Sequence, residues 1–171
     1  MSFFEKQNAG MTDEQASKDR MRFTRNTTSS RLVILAILFD ILYFVSIYKS
    51  DVGSYYYTML IGASVIYNLV FLLVAFLSEE GVKNRKPGYS LALIVVGVLQ
   101  VVRIFIIPMQ AHGAVVTTSA GDIQVMQDAQ FIRVIVYLVA SAACCVLAGV
   151  TASAQNKKLD AYMKTLTGGA Q

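Results

Sequence analysis

The sequence predicts an all-α protein, an integral membrane four-helix bundle, from two observations. Four long runs are predominantly apolar, and each approaches the roughly 20 residues that a helix needs to cross a ~30 Å hydrocarbon layer. These runs are about 32–48, 54–77, 89–107 and 131–153. The runs are also continuous rather than alternating, which favours spanning helices over the strands of a membrane barrel.

The basic residues indicate how the four spans are oriented. Twelve of the fifteen Lys and Arg lie before the first span, between the second and third, or after the fourth: Lys6, Lys18, Arg20, Arg22, Arg25, Arg31, Lys83, Arg85, Lys86, Lys157, Lys158 and Lys164. The first loop carries only Lys49, and residues 108–130 carry no Lys or Arg. Because basic residues concentrate on the cytoplasmic side of membrane spans, we expect both termini to be cytoplasmic.

Composition predicts one membrane domain in this chain of 171 residues, which is 55% apolar and 15% charged. A polar, basic arm (1–31) precedes the transmembrane domain (32–153), and an amphipathic tail (154–171) follows it. The net charge of +4 does not point to nucleic acid, because topology and anionic lipid headgroups already account for basic residues beside spans. About thirty polar residues precede the first run, so we expect that span to stay uncleaved.

The arm contains one local structural signal. Thr12 and Gln15 have the spacing of a capping box, which predicts a short helix over 13–25. Its apolar positions form no sustained stripe, so we expect a mobile, solvated arm rather than a helix bound to the membrane surface.

The first two loops are short connectors. Residues 49–53 suit a tight turn, which makes the first two spans an antiparallel pair of neighbours. Tyrosines surround this turn and predict the outer headgroup interface, with an aromatic ligand cage as the alternative: Tyr48, Tyr55, Tyr56 and Tyr57. The loop 78–88 ends in Pro87-Gly88, which halts one helix before the next begins. We interpret it as a solvated polar connector, with docking of a cytoplasmic partner as the alternative.

The outer loop, about 108–130, allows two interpretations. Residues 115–118 and 123–126 flank a turn-forming segment like the strands of a small hairpin. Alternatively, Asp122 is an N-cap and Ile123 is already helical, so that the fourth helix begins outside the membrane and runs well past Ser153. We favour the helix.

The tail carries an apolar stripe at helical spacing: Leu159, Tyr162, Met163 and Leu166. Lys residues lie beside it, and Gly168-Gly169 marks its end. We expect this helix to lie along the inner membrane interface, with a partner-docking helix as the alternative.

Three spans carry polar residues that form a candidate site. Ionisable residues inside a bilayer cost roughly 2.5 to 3.5 kcal/mol on insertion scales, so they need partners. A rise of about 1.5 Å per residue, counted from the cytoplasmic ends, places Asp40, Asn68 and Gln100 in one layer. Arg103 lies three positions from Gln100 on the same helix face and can reach Asp40.

We therefore predict an intramembrane polar cluster of Asp40, Asn68, Gln100 and Arg103. If the cluster is sealed, these residues join helices by hydrogen bonds, which is the interpretation we favour. If water reaches it, Asp40 is a cation or proton site and Arg103 sets its charge state.

Two further ionisable residues lie near the outer side. Arg133 is near the outer end of the fourth span, where snorkelling or pairing with Asp122 or Asp128 suffices. His112 has no Asp, Glu or Cys near it in sequence, so we interpret it as a solvated loop residue and expect no metal site.

The fourth span carries small residues at every fourth position, which predicts a helix-packing face: Ser141, Cys145, Gly149 and Ser153. A second such row is Ala140, Cys144, Ala148 and Ala152. Small residues let membrane helices approach closely. The sequence leaves open whether this face meets the protein's own helices or another subunit. The two adjacent cysteines are read as small packing residues.

The sequence contains no motif of a common enzyme class: no GxSxG, HExxH, GxxxxGK[ST] or CxxC, and no acidic pair within the spans. We expect no catalytic activity and no cofactor. The predicted function is that of a non-catalytic accessory or scaffold subunit of a larger membrane complex. The alternative is a small-solute or ion transporter that uses the polar cluster.

The predicted partners are the lipid bilayer and either another membrane protein or a second copy of the chain, with no nucleic acid. The small size and the lack of an organelle signal favour a bacterial plasma membrane.

Overall fold

A computed structural model describes residues 12–47, 55–113, 115–117, 121 and 123–168. The elements in chain order are α1 (Asp13–Arg20), α2 (Thr27–Ile47), α3 (Tyr55–Lys83), α4 (Tyr89–Ile106), α5 (Pro108–Gly113), β1 (Val115–Thr117), β2 (Ile123–Val125) and α6 (Asp128–Gly168). Within these residues, four helical segments are long and apolar enough to cross a membrane: 27–47, 62–83, 89–112 and 128–166. The predicted all-α fold with four candidate spans is confirmed to that extent.

The first two helices of the described residues begin at caps. The predicted capping box of α1 is confirmed, because Thr12 Oγ1 accepts from the Gln15 amide (3.4 Å) and Gln15 Oε1 accepts from the Thr12 amide (3.2 Å). The helix ends at Arg20, five residues earlier than predicted. Asn26 Oδ1 then accepts from the Ser29 amide (3.3 Å), so α2 begins at Thr27, before the apolar run.

The long helices form a ring of neighbours. Helix α2 packs against α3, α3 against α4, α4 against α6, and α6 against α2, with α6 making the two most extensive interfaces. The Asn26 amide donates to the Lys83 carbonyl (3.0 Å), so α2 begins where α3 ends and the two are antiparallel. Ser29 Oγ shares a hydrogen bond with Thr151 Oγ1 (2.9 Å). We name this the basic end, because basic segments of the sequence adjoin it.

The opposite end, named the hairpin end, carries α5, the two strands and the start of α6. Gln130 Nε2 donates to the Ser46 carbonyl (2.9 Å), which ties α6 to the end of α2. The strands pair antiparallel with Val115 opposite Val125. The preferred interpretation of this loop is therefore wrong about where the helix begins: Ile123 lies in β2, and α6 begins only at Asp128. Its prediction that the helix runs well past Ser153 is confirmed, because α6 continues to Gly168. Gly121 has φ +86°, a conformation that glycine adopts readily, so this segment turns rather than entering a helix.

Among the described residues, two apolar clusters fill the bundle. The basic-end cluster draws on all four long helices and contains Val33, Ala36, Phe71, Ala75, Val82, Leu93, Val96, Cys145, Ala148 and Ala152. The hairpin-end cluster contains Tyr43, Ile47, Ile104, Val134 and Leu138. Burial of these side chains holds the helices together from within.

The outside of the bundle is also apolar. Each long helix exposes large hydrophobic side chains, among them Ile34, Leu38, Leu73, Phe76, Val98, Phe105, Ile132 and Leu147. A helix that is hydrophobic on all sides is typical of a membrane span rather than of a surface helix in water. The exposed apolar surface therefore fits contact with lipid.

The predicted tail is the uninterrupted continuation of α6, which reaches Gly168. Helix α1 packs against α6 and buries Ala16. Because Ser29 lies beside Thr151, α1 must adjoin the part of α6 that follows Thr151. Tyr162 in that part is buried. The arm is therefore not solvated on all sides as expected, and the tail extends the bundle instead of starting a separate interfacial helix.

The small-residue face of α6 packs against this chain's own helices. Ser141 and Cys145 are fully buried, and Ser141 Oγ donates to the Ala36 carbonyl of α2 (2.9 Å). Gly149 is buried against α4, while Ser153 is half-buried. In the second row, Ala148 and Ala152 are buried and Ala140 and Cys144 are half-buried.

Two glycines set the separation of α4 and α6. A Cβ atom at Gly149 would lie 2.6 Å from the Ser90 carbonyl oxygen and 2.7 Å from Ile94 Cγ1. A Cβ atom at Gly97 would lie 3.1 Å from the Ala142 carbonyl oxygen. The backbones therefore approach as closely as they do because neither position carries a side chain.

We expect Gly149→Ala to destabilise the bundle by about 1–3 kcal/mol, because the added methyl group meets a backbone carbonyl that cannot rotate away. The measurement is thermal unfolding of the purified protein in detergent. Gly62→Ala is the matched control, since a Cβ atom there meets nothing within 4 Å. An alanine in place of an exposed helical glycine should leave stability unchanged or raise it. Equal melting temperatures for both variants would contradict the close approach.

Candidate functional site

The structure brings the four residues of the predicted polar cluster together between three helices. Asp40 comes from α2, Asn68 from α3, and Gln100 and Arg103 from α4. All four are buried. Because α2 and α4 are not neighbours in the ring of helices, their contact crosses the middle of the bundle.

Asp40 accepts two hydrogen bonds from α4 on the same oxygen. Gln100 Nε2 donates to Asp40 Oδ1 (2.8 Å), and Arg103 NH1 donates to the same atom (3.1 Å). The side chains of Asp40 and Arg103 are 0% and 1% exposed. They therefore form a buried ion pair, whose desolvation has to be offset by close geometry and further hydrogen bonds.

Arg103 also binds α3. Its NH2 donates to Ser64 Oγ (3.2 Å) and to Asn68 Oδ1 (3.0 Å). Its NH1 lies 3.5 Å from Gln100 Oε1 within α4. One guanidinium thus links three helices, which suits arginine because its donors are held in a rigid planar fork.

Two tyrosine rings pack against this guanidinium. Arg103 Cζ lies 4.3 Å from the ring centroid of Tyr43 and 4.7 Å from that of Tyr67. A cation over an aromatic face gains about 2 kcal/mol when both are removed from water. The rings therefore stabilise the charge on faces of the guanidinium where no hydrogen bond is made.

Sequence reasoning missed Ser64, Tyr43 and Tyr67. A signal was present for each, because Ser64 lies four positions before Asn68 and Tyr43 three after Asp40, on the same helix faces. Tyr67 directly precedes Asn68. Aromatic residues in an apolar run are ordinary core residues, so their spacing alone did not distinguish them.

The polar cluster lies between the two apolar clusters. Asp40 follows Ala36 of the basic-end cluster by one helical turn and precedes Tyr43 of the hairpin-end cluster. On α4, Gln100 likewise lies between Val96 and Ile104. The charges are thus separated from both ends of the bundle by apolar packing. Asp40 Oδ2 and Arg103 Nε make no hydrogen bond within the described part of the chain.

A second polar layer lies at the basic end. Ser30 Oγ donates to Glu79 Oε1, and Lys83 Nζ lies 3.8 Å from the same oxygen. Glu79 is buried and belongs to α3. The prediction that this position starts a solvated connector is therefore wrong, since the helix continues to Lys83 and turns the carboxylate toward α2.

The predictions for the hairpin end were partly wrong. His112 is half-buried in α5, with Nε2 2.9 Å from Asp128 Oδ1 and its ring centroid 4.3 Å from that of Phe131. It is therefore not an isolated loop residue. Arg133 is exposed and forms no ion pair among the described residues. Tyr48, Asp122 and the side chains of the tyrosines at 55–57 lie outside the described part.

Among the described residues, no three His, Cys, Asp or Glu side chains are grouped so that they could hold a metal ion. No protein-family model, curated protein or solved structure matches the chain. The function therefore has to be inferred from the contacts themselves.

We expect Asp40→Asn and Arg103→Gln each to lower stability by about 3–5 kcal/mol, because each leaves the opposite charge buried without its partner. The double variant should lose less than the sum of the two single losses, because it buries no unpaired charge. Thermal unfolding in detergent measures all three. Arg133→Gln is the control for loss of one arginine charge and should change stability by no more than about 0.5 kcal/mol. Additive losses in the double variant would contradict direct coupling.

Proposed function

We propose that this chain is a multi-pass membrane protein that serves as a non-catalytic scaffold or accessory subunit of a larger membrane assembly. The observation that carries the proposal is the sealed polar cluster. Arg103 pairs with Asp40 and also donates to Ser64 and Asn68 on α3. Apolar side chains pack on the sides of this cluster that face the two ends of the bundle. Such an arrangement suits a lock between helices better than a route for a solute.

The extension of α6 supports a role in assembly. Residues 154–168 add roughly 22 Å of helix beyond the predicted span, at 1.5 Å per residue. Met163 and Leu166 are 37% and 43% exposed on this extension. An exposed apolar pair at i, i+3 spacing on a helix is the kind of surface on which a partner helix docks.

We further propose that the basic end faces the cytoplasm of a bacterial cell, across its plasma membrane. The start of α2, the end of α3 and the extension of α6 all adjoin this end. The basic residues of these segments therefore adjoin one end of the bundle, which agrees with the charge bias of membrane proteins.

A second candidate function is transport of a small solute or ion through the centre of the bundle. The observation that favours it is that Asp40 Oδ2 and Arg103 Nε are buried without a hydrogen bond in the described part of the chain. Unsatisfied buried polar atoms are costly and occur at functional sites. A change of conformation that admits water would engage both atoms.

The orientation is tested by labelling with a membrane-impermeant maleimide on intact cells. We expect Gln127→Cys, at an exposed position of the hairpin end, to react from outside. Lys158→Cys, exposed on the extension of α6, should react only after the cells are broken. The unaltered protein gives the background from Cys144 and Cys145. Labelling of the Lys158→Cys variant in intact cells reverses the proposed topology.

The scaffold role is tested by gentle extraction from native membranes followed by native gel electrophoresis. We expect the protein to migrate in a complex larger than its own oligomers, and the Met163→Ser/Leu166→Ser variant to leave that complex while folding normally. Met163→Leu/Leu166→Met keeps the apolar surface and is the matched control. The opposite result is migration alone, together with ion or solute flux in proteoliposomes that Asp40→Asn abolishes at normal abundance. That outcome replaces the scaffold role with transport.

A further inference from the structure

Helix α3 ends in a Schellman motif. The Lys86 amide donates to the Gly81 carbonyl (2.9 Å), and the Arg85 amide donates to the Val82 carbonyl (3.1 Å). Arg85 occupies the left-handed position of this motif, with φ +55°. Among the described residues it is the one non-glycine residue with positive φ.

This position favours glycine, because a side chain disfavours left-handed backbone. A bulky residue kept in such a conformation is an outlier from which a functional role is reasonably inferred. A contribution that glycine cannot make would account for an arginine at this position.

Part of that contribution is contact with the segment before α2. Arg85 Nε donates to the Thr24 carbonyl (3.1 Å), and the Asn26 amide donates to the Lys83 carbonyl (3.0 Å). These two hydrogen bonds hold residues 24–26 against residues 83–85. Arg25 lies between the two joined positions, and Lys86 follows the second of them.

The contact with Thr24 leaves part of the guanidinium unused. Arg85 NH1 is buried and makes no hydrogen bond in the described part of the chain. Burial also lowers the pKa of the Arg85 side chain, so its charged form lacks full compensation. An anion bound beside the guanidinium would supply the missing charge.

The neighbouring charges divide into paired and unpaired groups. Arg22 pairs with Asp19 (3.2 Å), and Lys83 lies 3.5 Å from Glu80. Arg25, Arg85 and Lys86 form no ion pair among the described residues. Three cations without carboxylate partners are thus brought to one corner of the bundle.

We propose that Arg25, Arg85 and Lys86 form a binding site for the phosphate group of an anionic membrane phospholipid. This inference rests on the membrane placement proposed above. The site adjoins the ends of two candidate spans, where headgroups lie, and the nearby Phe23 ring is 66% exposed. An aromatic ring beside basic residues is typical of the membrane interface. The general charge bias explains an excess of basic residues on one side, but not an arginine held in left-handed backbone.

The test is a titration of the full-length protein in neutral detergent with phosphatidylglycerol or phosphatidylcholine, read by native mass spectrometry. We expect phosphatidylglycerol to bind at least tenfold more tightly, and Arg25→Gln/Lys86→Gln to remove most of that preference. Lys157→Gln/Lys158→Gln, which removes the same charge from the extension of α6, should change it less than twofold. Equal losses in the two double variants would show a diffuse charge effect and overturn the site.

Arg85→Gly tests the arginine directly, because glycine suits the backbone conformation and preserves the turn. We expect an unchanged or higher melting temperature together with at least a fivefold loss of phosphatidylglycerol affinity. Retained affinity overturns the role of Arg85. A third arm titrates inorganic phosphate, which should compete only weakly. Competition as strong as that of the lipid would assign the site to free phosphate and overturn the lipid proposal.

This test is independent of the scaffold role. Lipid binding is measured on the purified protein, whereas the scaffold role is measured by complex size after extraction. Failure of the phospholipid site therefore leaves the migration of the Met163→Ser/Leu166→Ser variant unaffected, and failure of the scaffold role leaves the lipid preference unaffected.

Discussion

The buried ion pair of Asp40 with Arg103 is the interaction on which the arrangement of the helices depends. A charge deep in an apolar bundle is tolerated only with its partner in place, so α2 and α4 can slide past each other very little. The hydrogen bonds from Arg103 to Ser64 and Asn68 impose the same restriction on α3. A single guanidinium thereby fixes the relative heights of three helices, a specificity that apolar packing does not supply, because it is non-directional.

Helix α6 joins this arrangement by a different physical means. Its polar links to α2 are uncharged hydrogen bonds, from Ser141 and Gln130 to backbone carbonyls and between Thr151 and Ser29. Its contact with α4 relies on Gly97 and Gly149. Close approach of backbones replaces charge pairing there. The bundle thus combines two kinds of contact. A polar cluster joins α2, α3 and α4, whereas α6 packs through a face of small residues. The two are complementary, since the polar cluster sets the relative heights of the helices and the small residues set the distance between α6 and α4.

The sequence predicted those features that follow from regular helix geometry. Counting 1.5 Å per residue placed Asp40, Asn68 and Gln100 at one height because the spans are regular helices. The hairpin was misjudged because Asp122 is equally suited to a helix cap and to a turn. The burial of Glu79 and the packing of α1 on α6 depend on where α3 and α6 end, and local patterns determine ends poorly. The tyrosines around Arg103 were missed because an aromatic residue in an apolar run is equally expected in an ordinary core and beside a cation.

The length of α6 has a mechanical consequence. Its 41 residues form one helix, about 60 Å long at 1.5 Å per residue, from Asp128 beside His112 to the extension that contacts α1. A tilt of roughly 5° about a point near its middle would displace each end by roughly 2.5 Å, in opposite directions. Movement of the extension would therefore also move the start of α6, which lies beside the hairpin at the opposite end of the bundle. The small-residue contacts with α4 lie between the two ends and act as the pivot.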